Sequence, residues 1–317
     1  MEIPEPSDGY TALTESVATW TDPDRVVIRI RGPRADRILN GLLSTDITLL
    51  QPGDAALSFV LTSKGRPVAL PRVIRTQDAI LLDVSRAALS GLLDHFGTYL
   101  PPRFATVTLL EGARRISLLG PRSEGVAAEV AAASGCLFIP RHLSDGGGVD
   151  IYLLSDEDRS AVVAIEVAIS AAGGLSASAA DYDTWRIERG IPVFGADITA
   201  DNLPQETGLV ERAVSFDKGC FTGQEVVARI HYRGHVNRHL RGLRSTDPSI
   251  RSCLQPEVAL YSKGRAVGAV TSSCDSPRFG PICLAYVRRE VAPGDEVGVS
   301  ADVQTGWLVS EIPFTSP

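Results

Sequence analysis

A ten-residue pattern occurs twice in this chain. VVIRIRGPRA at 26–35 and RRISLLGPRS at 114–123 each read as an apolar strand that breaks at Gly-Pro-Arg and passes into a helical pattern. Each copy is followed by another strand and helix, AILLDVSRAALSGLLDHFG at 79–97 and DIYLLSDEDRSAVVAIEVAISAAGG at 150–174. The duplication predicts two α+β halves that face each other around a shared space.

Within the first half, apolar runs flank Ser63-Lys64-Gly65-Arg66, which makes a hairpin the natural reading. From Trp185 to about Gly234 the chain is rich in glycine, proline and charge, the composition of a functional loop region laid over a scaffold. Beyond about Val236 the pattern is all strand with glycine turns, including a second Ser-Lys-Gly-Arg hairpin tip at 262–265. That predicts a small β-barrel or sandwich.

Composition removes several function classes. Of 317 residues, 44% are hydrophobic and 22% charged, so the chain can build a core and is not a disordered or fibrous type. A net charge of −7 argues against a general nucleic-acid or anionic-membrane binder. No apolar run approaches the roughly 18 residues of a membrane span, and the start lacks a signal-peptide pattern, so a cytoplasmic location is expected. The five cysteines are odd in number and include no C-x-x-C pair, which disfavours a disulfide framework or structural zinc site and fits reduced thiols.

Lysine is scarce: of 31 basic residues only Lys64, Lys218 and Lys263 are lysines, and each precedes a glycine. Lys64 and Lys263 fit hairpin tips. Lys218 lies in SFDKGCFTGQEVVARI at 215–230. There Thr222 and Glu225 have the spacing of a capping box, predicting a helix from Gly223 to about His231 that Gly234 stops. Cys220 would then sit just before a helix N-terminus with the Lys218 charge nearby, a setting that favours a thiolate. The alternative is a cysteine that only packs in a glycine turn.

Residues 197–217 carry five acids, whereas 229–244 carry five arginines and three histidines with no acid. The basic stretch either receives an anionic ligand or pairs with the acidic segment. His231, His235 and His239 have helical metal-ligand spacing, but Gly234 interrupts the helix and no metal is expected.

KGCFTGQE at 218–225 closely resembles the signature of the folate-binding YgfZ family, relatives of the glycine-cleavage T-protein. The likeness extends through WRIERGIPVFGADI at 185–198, LPQETGLVERAVSFDKGC at 203–220 and VVARIHYRG at 226–234, and more weakly over the rest. The resemblance implies two pseudo-symmetric α+β domains around a central channel that binds tetrahydrofolate, plus a C-terminal β-barrel. On this chain those are residues 1–110, 111–235 and 236–317. It further implies a role in making or repairing iron–sulfur clusters in client proteins, dependent on Cys220, with Lys218 beside it. By similarity to the T-protein, Glu188 would accept hydrogen bonds from the pterin edge, and Arg229 would meet the folate glutamyl carboxylate.

One departure concerns the aspartate that serves folate chemistry in the aminomethyltransferases. In LLDVSRAAL at 81–89, Asp83 lies within a strand and the accompanying asparagines are missing. A folate-dependent aminomethyltransferase is therefore the alternative reading, and a redox-sensing thiol without folate affinity is a third.

Overall fold

The computed structural model describes residues 5–131, 136–142, 146–155, 159–246, 250, 253–302 and 306–315. Helix α1 (Asp8–Glu15) is capped by Ser7, whose hydroxyl accepts from the Tyr10 N–H at 3.0 Å. It leads into β1 (Ala18–Thr21), β2 (Arg25–Arg31) and α2 (Ala35–Leu42). Next come β3 (Ala55–Leu57), β4 (Val60–Leu61), β5 (Pro67–Ala69), β6 (Arg72–Arg75), β7 (Ile80–Ser85), α3 (Arg86–Tyr99) and β8 (Thr106–Leu110). The second half contains β9 (Arg114–Leu119), α4 (Ser123–Ala131), β10 (Leu137–Pro140), β11 (Val149–Leu153), α5 (Arg159–Ala171) and β12 (Leu175–Ser176). Helices α6 (Ala179–Glu188), α7 (Val210–Ala213) and α8 (Gln224–Arg233) follow, then β13 (Arg238–Ser245), β14 (Ala259–Ser262), β15 (Arg265–Ser276), β16 (Gly280–Arg288), β17 (Glu296–Val297) and β18 (Trp307–Ser310).

The duplicated pattern becomes two matching sheets. Their strand orders are β3-β6-β7-β2-β8 and β10-β11-β9-β1-β12, so β2 and β9 occupy equivalent central places. The halves also exchange strands. β1, which precedes β2 in the chain, pairs antiparallel with β9 in the second sheet. β8, which precedes β9, pairs antiparallel with β2 in the first. A boundary near residue 110 leaves every strand of the first sheet on one side and only β1 displaced into the second; the exchange is reciprocal for a boundary between α3 and β8, at residues 100–105. Each sheet covers its own apolar core, one around Ile28, Leu82 and Leu92, the other around Leu118, Ile151 and Ile165.

The strand-only C-terminal region forms the six-stranded order β14-β15-β16-β13-β18-β17. An antiparallel bridge between Tyr261 and Gly298 brings its ends together, so the sheet curls into a nearly closed barrel around Leu243, Val270 and Trp307. Both Ser-Lys-Gly-Arg tips are hairpins. At the second, Lys263 and Gly264 have φ of 50° and 72°, as a two-residue hairpin turn with the twist of its strands requires.

Segment 185–198 ties the barrel to the halves. Asp197, fully buried, accepts from Arg186 at 3.0 Å, from the Val193 N–H at 2.9 Å, and from the barrel hydroxyls of Thr271 and Ser272 at 2.5 and 2.7 Å. A buried carboxylate with this many donors is costly to disturb, because losing one partner leaves charge uncompensated in a low dielectric.

Candidate functional site

A cleft of about 380 Å³ opens where the two sheets meet α6 and the 191–196 segment. Six arginines and four aspartates line it, among them Arg25, Arg72, Arg212, Asp22 and Asp183. On one wall the Trp20 and Tyr182 rings stack at 5.0 Å with an interplanar angle of 14°. Trp20 Nε1 and Arg115 Nε are buried on this lining without hydrogen-bond partners. Each such unpaired buried N–H costs roughly 1–3 kcal/mol.

Beneath the cleft lies a buried charge network. Asp83 accepts from Arg25 Nε at 2.7 Å, Arg115 at 2.9 Å and the Tyr152 hydroxyl at 2.8 Å. Burial pushes the Asp83 carboxyl up, but the Arg25 and Arg115 charges outweigh it and hold the group below the usual carboxylate range. Asp150 is held in the same way: burial opposes ionisation, while Arg141, Arg72, Arg115 and the Ser117 hydroxyl hold its carboxyl low. Asp83 has no exposed surface, which leaves it no route to a proton on a ligand.

Glu188 lies outside this cleft. Its carboxylate, 2% exposed, accepts from the Tyr10 hydroxyl at 2.7 Å and from Ser276 at 2.6 Å, joining α1, α6 and the barrel. Two positions earlier on α6, Arg186 faces the cleft, and a helix turns residues i and i+2 to different sides. The carboxylate expected at a pterin edge is thus engaged at a seam between domains. The cleft acids are instead Asp22, Asp24, Asp150 and Asp183.

The KGC loop runs from Val214 to Gly223, between α7 and α8. Phe221 anchors it in an apolar cluster with Phe59, Leu61, Leu209 and Val227. Lys218 turns inward. Its ammonium donates to the carbonyls of Asn40 (2.6 Å), Leu43 (2.8 Å) and Thr45 (2.6 Å), with the Asn40 side-chain oxygen at 3.0 Å. These oxygens cluster at the C-terminus of α2, where the helix dipole favours a cation. A compact ammonium suits such a cage and a planar guanidinium does not, which explains a lysine here in an arginine-rich chain. Burial pulls the Lys218 amine down to about 8, against the opposing charge of Asp46.

Cys220 is exposed, two residues beyond this clamp. The expected capping box does not form. Helix α8 begins at Gln224 after Gly223 with φ 83°, and Thr222 is used elsewhere, its N–H bonding Gly41 O at 3.0 Å. The reason is a close approach: a Cβ on Gly223 would meet Thr62 O at 2.6 Å and Gly65 Cα at 3.2 Å, so the Lys64-Gly65 hairpin supports the loop. Arg229 is exposed on α8 and does not line the cleft. Lys218, Cys220 and Arg229 therefore share one loop–helix unit, while Glu188 belongs to another part of the molecule. His231 lies on α8 and His239 on β13, so the three histidines share no helix face.

Residues 238–314 match the glycine cleavage T-protein C-terminal barrel domain. The whole chain superposes on the glycine cleavage system aminomethyltransferase T of Bartonella henselae with a TM-score of 0.83, at 20% identity over 97% of this chain and 88% of the other. This chain has the glycine-cleavage T-protein fold. Relatives with related sequences include the tRNA-modifying protein YgfZ of Edwardsiella ictaluri, 27% identical over 92% of this chain and 91% of that one. The mitochondrial iron–sulfur cluster assembly factor IBA57 of Mus musculus is 27% identical over 85% of this chain and 77% of its own. Within the T-protein fold, sequence reasoning missed Trp20 and Tyr182. Both sit in ordinary local patterns, and only the exchange of β1 into the second sheet brings Trp20 to the cleft wall.

Proposed function

We propose that this protein binds tetrahydrofolate in the central cleft and acts as an accessory protein in iron–sulfur cluster assembly or repair, with Cys220 as its reactive thiol. The observation that carries the reading is the presentation of Cys220: an exposed thiol on a loop pinned by Lys218, Phe221 and Gly223. The relatives named for iron–sulfur assembly and for YgfZ support the same assignment. A location in the cytoplasm accords with it, and no helix among the described residues is long and apolar enough to cross a membrane.

The cleft fits a folate. Trp20 and Tyr182 offer a face for the pterin, and Asp22 or Asp183 offers a carboxylate to the amino-pyrimidinone edge. Arginines at the cleft, such as Arg25 and Arg212, suit the glutamyl carboxylates better than Arg229 on the outer helix. Bound tetrahydrofolate would supply a one-carbon carrier or a reductant. The alternative, a folate-dependent aminomethyltransferase, needs a positioned acid or base at the folate. Asp83, locked between two guanidiniums, argues against it.

Two measurements test the proposal. Calorimetric titration of tetrahydrofolate should show binding that Trp20→Ala weakens, and no binding would leave only the redox-thiol reading. In cells lacking the native gene, the wild type should restore iron–sulfur enzyme activity and Cys220→Ala should not. Full rescue by Cys220→Ala would overturn the role of the thiol.

A further inference from the structure

The basic run at 229–244 divides in two. On β13, Arg238 pairs with Glu206 at 3.2 Å and Arg241 with Glu311 at 2.8 Å, so the chain's own acids take up these two arginines. On α8, Arg229 and Arg233 are exposed, and among the described residues neither forms an ion pair. Glu225, Arg229, Tyr232 and Arg233 all face outward while Val227 packs inward, as positions four and three or four apart on a helix share a face. At the C-terminal end of this face His231 stacks on Phe216 at 4.0 Å, and Tyr232 meets both rings edge-on, at 5.8 Å to Phe216 and 4.8 Å to His231. Tyr232 remains 67% exposed. Phe216 belongs to the loop that presents Cys220.

We propose that this outer face of α8, with Phe216, docks the protein client whose chemistry takes place at Cys220. An acidic segment of the client pairs with Arg229 and Arg233, and an apolar side chain packs on the three rings. The inference rests on the reading of Cys220 as the reactive group. Exposed tyrosine beside unpaired arginine is the composition of interface hot spots. Charge selects the occupant. On a chain of net charge −7, two uncompensated guanidiniums form a local attractive site for acids, while the rest of the molecule repels them. Glu225, exposed in the first turn of α8 next to the loop of Cys220, gives the helix face a direction: basic toward its C-terminal end, acidic toward the thiol loop. A nucleic-acid strand, which carries a phosphate at every nucleotide, would meet Glu225 on its way to the thiol. A peptide can place its acids at one end only.

The test uses a short synthetic peptide with acidic residues, one leucine and one cysteine activated as its 2-thiopyridyl disulfide, and a second peptide with the acids replaced by lysines. Cys220 attacks the peptide sulfur, the mixed disulfide forms, and 2-thiopyridone leaves and is read by absorbance, with Cys220→Ala as the blank. The acidic peptide should react with saturation, about ten-fold faster than the basic one at low ionic strength, an advantage that salt erodes. Arg229→Glu with Arg233→Glu should reverse the preference while leaving the rate with a small uncharged 2-thiopyridyl disulfide unchanged. Tyr232→Ala should raise the half-saturating concentration several-fold.

Equal rates for the two peptides, or a preference indifferent to the double substitution, would overturn the surface. So would a single-stranded oligouridylate that blocks the acidic peptide at concentrations below the peptide's own half-saturation. Fluorescence anisotropy of a cysteine-free acidic peptide on Cys220→Ala protein separates this inference from the one beneath it. Charge-dependent binding there supports the surface even if Cys220→Ala rescues cells.

Discussion

The hydroxyl of Tyr152 donates to the carboxylate of Asp83 at 2.8 Å, and the two residues hold equivalent positions in the two halves. Val27 lies opposite Asp83 in the first sheet and Arg115 lies opposite Tyr152 in the second. In the duplicated pattern Val27 and Arg115 are the same position. The internal symmetry therefore closes on itself through one hydrogen bond, with Arg115 completing the contact.

Asp83→Asn should cost about 3–5 kcal/mol, since it leaves Arg25 and Arg115 facing a neutral group in a buried site. Urea unfolding gives the value. The wild-type carboxyl ionises more readily folded than unfolded, so its stabilisation is present above the ordinary carboxylate range and is lost as pH falls through the lower folded value. The acid limb of the stability curve should be shallower in Asp83→Asn.

Lys218→Arg should not restore what Lys218→Met loses, because a planar fork does not fill a cage of three backbone carbonyls. Both variants should lower the unfolding midpoint and raise the susceptibility of the 214–223 segment to proteolysis. The Lys218 amine falls to about 8 when folded, while the unfolded chain keeps its proton until near the ordinary lysine value. The contribution of this group to stability therefore rises with pH across that interval, and the rise should be absent in Lys218→Met.

Gly223→Ala meets two obstacles, a left-handed backbone and a carbonyl 2.6 Å from the new Cβ. We expect a loss of about 1–3 kcal/mol and displacement of the Lys64-Gly65 hairpin. Hydrogen exchange of the Thr62–Arg66 and Phe221–Val227 amides reads both effects.

Trp20→Ala and Glu188→Gln should separate cleft from seam. The first removes half of the ring stack and should weaken tetrahydrofolate by about ten-fold or more, an order of 1–2 kcal/mol in binding, along with some stability from the cluster it packs against. The second should lower stability by about 1–3 kcal/mol, through the Tyr10 and Ser276 bonds, and leave the folate titration unchanged. Equal binding losses in both would return Glu188 to the ligand.

What could be read from the sequence was local. Strand alternation, the two Ser-Lys-Gly-Arg tips and the all-strand tail depend on neighbours a few positions away, and the structure has them. Thr222 and Glu225 satisfied a local rule as well, yet Gly41 and Thr62, far off in sequence, claimed the space and the hydrogen bond. The direction of the Lys218 side chain, the burial of Glu188 against Tyr10 and the arrival of Trp20 at the cleft all depend on packing between segments more than 100 residues apart. No periodicity encodes such distances. The basic run is an intermediate case: its charge is plain in the sequence, but the fold decides which arginines find partners.

The reciprocal placement of β1 and β8 makes this chain, in topology, an intertwined dimer whose two subunits have been joined by a peptide bond. Neither subunit can finish its sheet from its own stretch of chain, so the pair must fold as one cooperative unit. Cutting the connector between α3 and β8, at residues 100–105, would yield two fragments, each holding a strand that the other lacks. Apart they are incomplete, and mixed they should reassemble into the parent fold.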